Sequence, residues 1–204
     1  MTKTSVEICN LALDYLNEDN ITSLSEKTKQ TKKCAQWYDV VRKSLLTNLN
    51  ASFSIKRAHL AEVKNVIPVY GYNKVYGLPK DCLQVLNLGN PLDNELYQIE
   101  GGYFHCNRED NVLIRYIEDV KDVSKYDAEF IELFALALAA QVCIPLTEDY
   151  EKRNYINQLK KEKYIECSAK YGRDNRITVI HKPNYRAGKF HPEVLTSDYP
   201  LKWE

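Results

Sequence analysis

Apolar residues recur along the start of the chain with the spacing of a helix. Ile8, Leu11, Ala12, Tyr15 and Leu16 fall at i, i+3, i+4, i+7 and i+8, one face of a helix. Thr4-Ser5-Val6-Glu7 precedes them in capping-box form, Thr4 accepting from the backbone near Glu7 while Glu7 reaches back. A first helix is predicted over 5–17 and ends in Asn17 to Asn20. A second box, Ser23-x-x-Glu26, predicts a longer helix over 25–49 with the stripe Cys34, Trp37, Tyr38, Val41, Leu45 and Leu49. Its first turns carry Lys27, Lys29, Lys32 and Lys33 with few apolar residues, so that end must lie in solvent or against an anionic partner.

From Phe53 to about Val120 the pattern shortens, with turn punctuation at Gly71, Gly77-Leu-Pro79, Asn90-Pro91 and Gly101-Gly102. Leu83–Leu88, Leu96–Ile99, Gly102–Cys106 and Val112–Ile117 are short, β-branched or aromatic runs that read as strands. They predict a small antiparallel sheet with Gly101-Gly102 as a hairpin turn. Helix character returns at Asp127, an N-cap with Glu129 and Glu132 in the first turns, where the helix dipole favours them. Residues 128–144 are apolar on almost every side and predict a central helix over 127–145. The charge-free stretch Leu133–Leu146 is shorter than the about 20 residues of a membrane span, so it reads as core and no membrane partner is expected. After Pro145, Thr147 is positioned to cap a fourth helix over 147–170.

The architecture predicted is α+β: a bundle of about four helices interrupted by a small antiparallel β insert over 53–120. Residues 1–170 make the body and 171–204 an extended C-terminal tail. Three prolines in that tail exclude a long helix, while Ile177, Val179 and Ile180 form a short strand signal. Tyr185, Phe190, Tyr199 and Trp203 then space aromatic anchors along it. Such a segment has no core of its own, so it is expected to be ordered by a partner it touches.

Composition narrows the function. Lys plus Arg and Asp plus Glu both number 28, for a formal net charge of zero, which excludes a polybasic nucleic-acid protein but leaves a local basic face open. Only 7 glycines argue against glycine-rich phosphate loops, whereas 15 tyrosines suit a protein that meets other proteins. The cysteines at 9, 34, 82, 106, 143 and 167 lack the close spacing of a zinc or thioredoxin motif and read as separate buried thiols in a reducing compartment. No secretory signal precedes the first helix pattern.

Nucleotide, P-loop, zincin and nucleophile-elbow motifs are all missing. His105 and Cys106 are adjacent on a predicted strand and therefore point to opposite faces, which argues against a shared metal. Cys34 reads as a thiol on an apolar stripe, and Glu129 with Glu132 as a solvated first turn rather than an acid pair. No catalytic residue, cofactor or metal is expected. The Lys27–Lys33 cluster, with no aromatics between its lysines, suits non-specific contact with phosphates or an acidic partner.

The order of motifs resembles a known family, the head-to-tail adaptor (tail tubular protein A) of short-tailed bacteriophages. Val6-Glu-Ile-Cys-Asn-Leu-Ala-Leu13 looks like its first helix, and Ile21-Thr-Ser-Leu24 with Cys34, Tyr38, Val41-Arg42 and Leu45-Leu46 like its second. Phe53-x-x-Lys56-Arg57-Ala58 with Leu60-Ala61 resembles the segment that follows, and Leu78-Pro-x-Asp81-Cys82-Leu-x-Val85-Leu86 the entry to the β region. Tyr126-Asp127, Phe130, Leu138-Ala-Ala140 and Pro145-Leu-Thr147 resemble the closing helix pair, so the likeness covers about residues 5–170. It implies a non-enzymatic virion protein made in the host cytoplasm. Such a protein forms a ring, usually twelvefold, at the head-tail junction. There it joins the portal protein to other tail proteins and surrounds double-stranded DNA in transit. Zero net charge suits such a conduit, since each phosphate neutralised adds affinity that slows passage. Two other readings stay open: a soluble DNA-binding accessory protein that uses Lys27, Lys29, Lys32 and Lys33, and a hydrolase that joins Cys34 or Cys106 to a histidine.

Overall fold

A computed structural model describes residues 4–66, 68, 70–89, 96–109 and 112–175. Four helices and two three-stranded antiparallel sheets make an α+β fold. Helix α1 (Ser5–Asp14) opens on the predicted capping box: the Thr4 backbone N–H donates to Glu7 Oε2 at 2.6 Å, and the Glu7 N–H donates to Thr4 Oγ1 at 3.3 Å. Its Ile8, Cys9, Ala12 and Leu13 are buried.

The second box does not open a helix. Glu26 Oε1 instead accepts from the backbone N–H groups of Thr22 and Ser23, at 2.8 and 2.9 Å, and closes a local turn. Helix α2 (Lys29–Leu49) begins later than predicted, capped by Thr28, whose side chain accepts from Thr31. The loop ahead of it is held by Asn10, whose amide exchanges two 2.9 Å hydrogen bonds with the backbone of Ile21.

Helix α3 (Ala128–Thr147) starts where Asp127 accepts from the Phe130 N–H at 2.9 Å. Pro145 was expected to end it but lies inside its last turn, where its missing N–H removes a single bond. The chain leaves α3 through Glu148 in the left-handed region, φ 56°. Thr147 is therefore the last residue of α3, and Asp149 caps α4 (Tyr150–Asp174) by accepting from the Lys152 N–H at 2.8 Å. Helix α4 also outruns its predicted end at Lys170. Tyr171 is fully buried, and its hydroxyl donates to both Asp127 carboxylate oxygens at 2.9 Å, so the folded body reaches Asn175.

Helix α3 is long and apolar enough to cross a membrane by length and composition. Its place in the fold accounts for that composition: it packs against α1, α2 and α4, and twelve of its residues are buried. An aromatic cluster joins it to its surroundings, with Phe53 edge-on to Phe130 at 5.0 Å and Tyr126 edge-on to Phe130 at 5.0 Å.

The β insert holds two sheets where one was expected. The first has order β1 (Ile55–His59), β6 (Leu113–Glu118), β3 (Cys82–Leu88); the second has order β2 (Lys74–Gly77), β5 (Tyr103–Cys106), β4 (Tyr97–Glu100). The predicted hairpin joins β4 to β5, with Gly101 and Gly102 at φ 57° and 83°, the two positive values a type I′ turn needs. Leu88, Ile114 and Tyr116 of the first sheet pack with Tyr76, Phe104 and Cys106 of the second in a core of their own. The opposite face of the first sheet meets the bundle through Ile55, Leu83, Leu86 and Ile117.

Salt bridges lock α4 onto α3. Lys170 pairs with Glu129 at 2.9 Å and Asp127 at 3.0 Å, and Lys163 pairs with Glu132 at 2.5 Å. The hydrogen bond from Lys170 holds the Glu129 carboxyl below its usual value, and the same bond raises Lys170. A depressed acid stabilises the fold above its unfolded pKa of about 4.5 and loses that contribution as pH falls through its folded value. A raised lysine stabilises below about 10.5 and loses it as pH rises further. Both partners are partly exposed, so the pair is worth about 0.5 kcal/mol. Urea titrations should therefore show wild-type stability falling below pH 4.5 more steeply than that of Lys170→Met. Parallel acid limbs for the two proteins would contradict this pairing.

Candidate functional site

Two exposed surfaces carry chemistry that the core does not consume. The first is the cationic start of α2. Lys27 lies in the turn before the helix, and Lys29, Lys32 and Lys33 fall at i, i+3 and i+4 on one side of it. Lys27, Lys29 and Lys32 are exposed and Lys33 is half-buried. No acidic residue occupies the first turn, and among the described residues none of the four lysines has a carboxylate partner. Cations sit here at the positive end of the helix dipole, the unfavourable end for them. Local stability does not explain that arrangement, whereas an anion over the helix start relieves it.

The second surface is an apolar groove of about 390 Å³ between α2 and α4, floored by α3. Trp37, Val40 and Leu45 form one wall, Leu133 and Ala137 the floor, and Tyr164 with Lys160 the other wall. Val40 is 56% exposed there. On α4, Tyr155 is nine residues from Tyr164, which at about 100° per residue sets it on the opposite flank of the helix. Tyr155 is 62% exposed, and Tyr150 and Ile165 are also exposed.

The tyrosine surplus divides between core and surface. Tyr76, Tyr116, Tyr126 and Tyr171 are buried. The Tyr126 hydroxyl donates to the Val120 carbonyl at 2.7 Å, and burial pushes that phenol up to about 12. Tyr70, Tyr150 and Tyr155 remain exposed.

The tail residues Ile177, Val179, Ile180, Tyr185, Phe190, Tyr199 and Trp203 lie outside the described residues. Cys34 is buried on the α2 stripe beside Cys9, so these two thiols are neighbours rather than separate. Cys106 is buried while His105 beside it is half-buried on the other face of β5. Among the described residues no group of three His, Cys, Asp or Glu side chains converges as a metal site. Glu129 and Glu132, expected as a solvated first turn, are the α3 ends of the bridges to α4.

One buried polar site carried no signal in the hydrophobic pattern. Arg42 is 1% exposed, and its Nη1 donates to Asp119 Oδ1 at 2.5 Å and to the Val120 carbonyl at 2.8 Å. Its Nη2 donates to Asp39 Oδ1 at 3.0 Å, so the guanidinium ties α2 to the link between β6 and α3.

No family model matches the chain, and no curated protein matches it.

Proposed function

We propose that this chain is a structural virion protein, a ring-forming head-to-tail adaptor that joins the capsid portal to the tail and encloses the DNA path. In this reading it is not an enzyme and uses no cofactor. The observation that carries the reading is the pairing of an apolar groove with a projecting aromatic on the opposite flank of α4. A hollow and a knob on different sides of one chain suit head-to-tail contact, in which each copy seats Tyr155 toward the groove of the next. Such heterologous contacts close into a ring when the rotation between copies allows it. The motifs that resemble the adaptor family fall at joints of the fold: Phe53 to Ala58 at the passage from α2 into β1, Leu78 to Leu86 at the entry to β3, and Pro145 to Thr147 at the α3–α4 corner. The tail, with its aromatic anchors, is the segment for the portal or a neighbouring copy. Purified virions should contain the protein in a fixed multiple per portal, and labelled antibody should decorate the single tail-bearing vertex. Its absence from purified particles overturns the reading.

A second reading rests on the uncompensated lysines at the start of α2: a soluble DNA-binding accessory protein. It predicts a monomer or dimer whose DNA affinity falls steeply with salt. Replacing Lys27, Lys29, Lys32 and Lys33 together by glutamine should then cut affinity at least tenfold and lower the salt slope by about 4. The adaptor reading predicts little DNA affinity in free solution and little change with the substitution. Fluorescence anisotropy at two salt concentrations separates the two.

A further inference from the structure

Strand register sets Arg57 of β1 directly opposite Arg115 of β6, and on the other side of β6 Asn87 of β3 lies opposite Arg115. Register partners in an antiparallel ladder share a face, so these three side chains form one row across the first sheet. Like charges placed directly opposite destabilise a sheet. Three other cations of the body are compensated: Arg42 by Asp39 and Asp119, Lys56 by Asp81 and Glu118, Lys170 by Asp127 and Glu129. Among the described residues, neither Arg57 nor Arg115 has a carboxylate within salt-bridge distance. Arg115 is half-buried, and burial, followed by the charge of Arg57, pushes its guanidinium below the ordinary value.

The row opens beside a recess of about 450 Å³, of mixed polar and apolar lining, where the first sheet meets the end of α4. Asn48, Asn50, Asn87, Arg115, Ser168 and Asn175 line it, and no acidic residue is among its lining. Asn175 fixes the guanidinium in position: its Oδ1 accepts from Arg115 Nη2 at 3.1 Å, while its Nδ2 donates to the Asn50 carbonyl at 2.7 Å. The sheet thus keeps two adjacent cations beside a recess whose lining carries no acidic residue. Paired guanidinium groups offer several N–H donors at fixed angles, the arrangement that phosphate oxygens accept best.

We propose that the Arg57–Arg115 row, with the recess beside it, is an oxyanion site that takes a phosphate group. Arg57 and Arg115 supply the charged donors, and Asn175 is a positioning residue that holds Arg115. The phosphate comes either from a free or nucleotide phosphate or from a nucleic-acid backbone. The site is separate from the start of α2 and stands whether or not the chain forms a ring.

The full chain is melted in chloride and in phosphate of matched ionic strength. The variants are Arg57→Gln, Arg115→Gln, the double Arg57→Gln/Arg115→Gln, and Lys121→Gln/Lys125→Gln, two exposed lysines away from both cationic surfaces, as a control. Phosphate at about ten times its Kd should raise the midpoint of the wild type and of the lysine control by about 3 °C more than that of the double arginine variant. General stabilisation by phosphate acts on every variant and cancels from that comparison. In chloride the single arginine variants should melt no lower than the wild type, because repulsion within the row is relieved. Equal phosphate shifts in the wild type and the double variant overturn the site. Anisotropy with a duplex of about 20 base pairs separates the two sources. A backbone ligand makes the double variant lose about tenfold in affinity and about 2 in salt slope. A free phosphate ligand leaves duplex binding equal across the variants while the melting difference persists.

Discussion

Substituting Asp119 by alanine should cost about 3 kcal/mol of folding stability, read as a lower urea midpoint at unchanged slope. The reason lies in what is left behind. Arg42 would stay 1% exposed with its charge intact, held ionically only by Asp39, which is 73% exposed. A buried guanidinium cannot neutralise itself at any pH the fold survives, so the whole deficit appears as lost stability. Arg42→Met should cost less, because methionine removes the buried charge and refills part of the arginine's volume, while Asp119 keeps Lys43 at 4.0 Å as a cationic neighbour. The Val120 carbonyl would still accept from Tyr126 in either variant. Asp119→Ala within 1 kcal/mol of wild type would mean that the Arg42 network does not tie α2 to the link between β6 and α3.

Ending the chain after Asn175 should leave the body folded and abolish the portal and neighbour contacts we propose for the tail. Helix α4 reaches Asp174, and its last buried anchor is Tyr171, so a stop after Asn175 spares every core contact described. The midpoint of unfolding should move by less than about 2 °C. The segment removed carries Ile177, Val179, Ile180, Tyr185, Phe190, Tyr199 and Trp203. Aromatic anchors at an interface contribute about 2 kcal/mol or more each. Losing two of them should weaken portal or neighbour binding about a thousandfold, as measured by surface plasmon resonance. A truncated chain that binds as tightly as the whole one would refute the docking role given to this segment. A stop at Lys170 is a different experiment, since it deletes Tyr171 and its bond to Asp127 and should destabilise the body itself.

The elements legible in the sequence are those whose signals are local. Thr4 with Glu7 specifies the start of α1, the apolar run of α3 marks the central helix, and Gly101-Gly102 marks a turn because both residues need positive φ. The same box logic misread Ser23 and Glu26. A Glu three residues after a Ser satisfies backbone donors equally well in an isolated turn, and the deciding feature was Thr28 capping Thr31 further on. Pro145 misled in the opposite direction, because a proline in the last turn costs a helix one bond rather than its continuity. Strand β1 carries Lys56, Arg57 and His59 at the edge of its sheet, so it lacks the apolar alternation that reveals a strand.

The candidate sites divide along the same line. The lysines of α2 were visible because clustering is a property of the string. Burial of Arg42, contact of Cys9 with Cys34, and pairing of Arg57 with Arg115 depend on partners far away in sequence, which only the fold brings together.

We propose that this chain closes into a ring on a capsid vertex. Native mass measurement of the purified full-length protein, alone and after mixing with purified portal, tests it most directly. The expected result is a single discrete complex that holds one closed ring of copies per portal. A mass that stays the sum of free portal and free monomer at micromolar concentrations would contradict it.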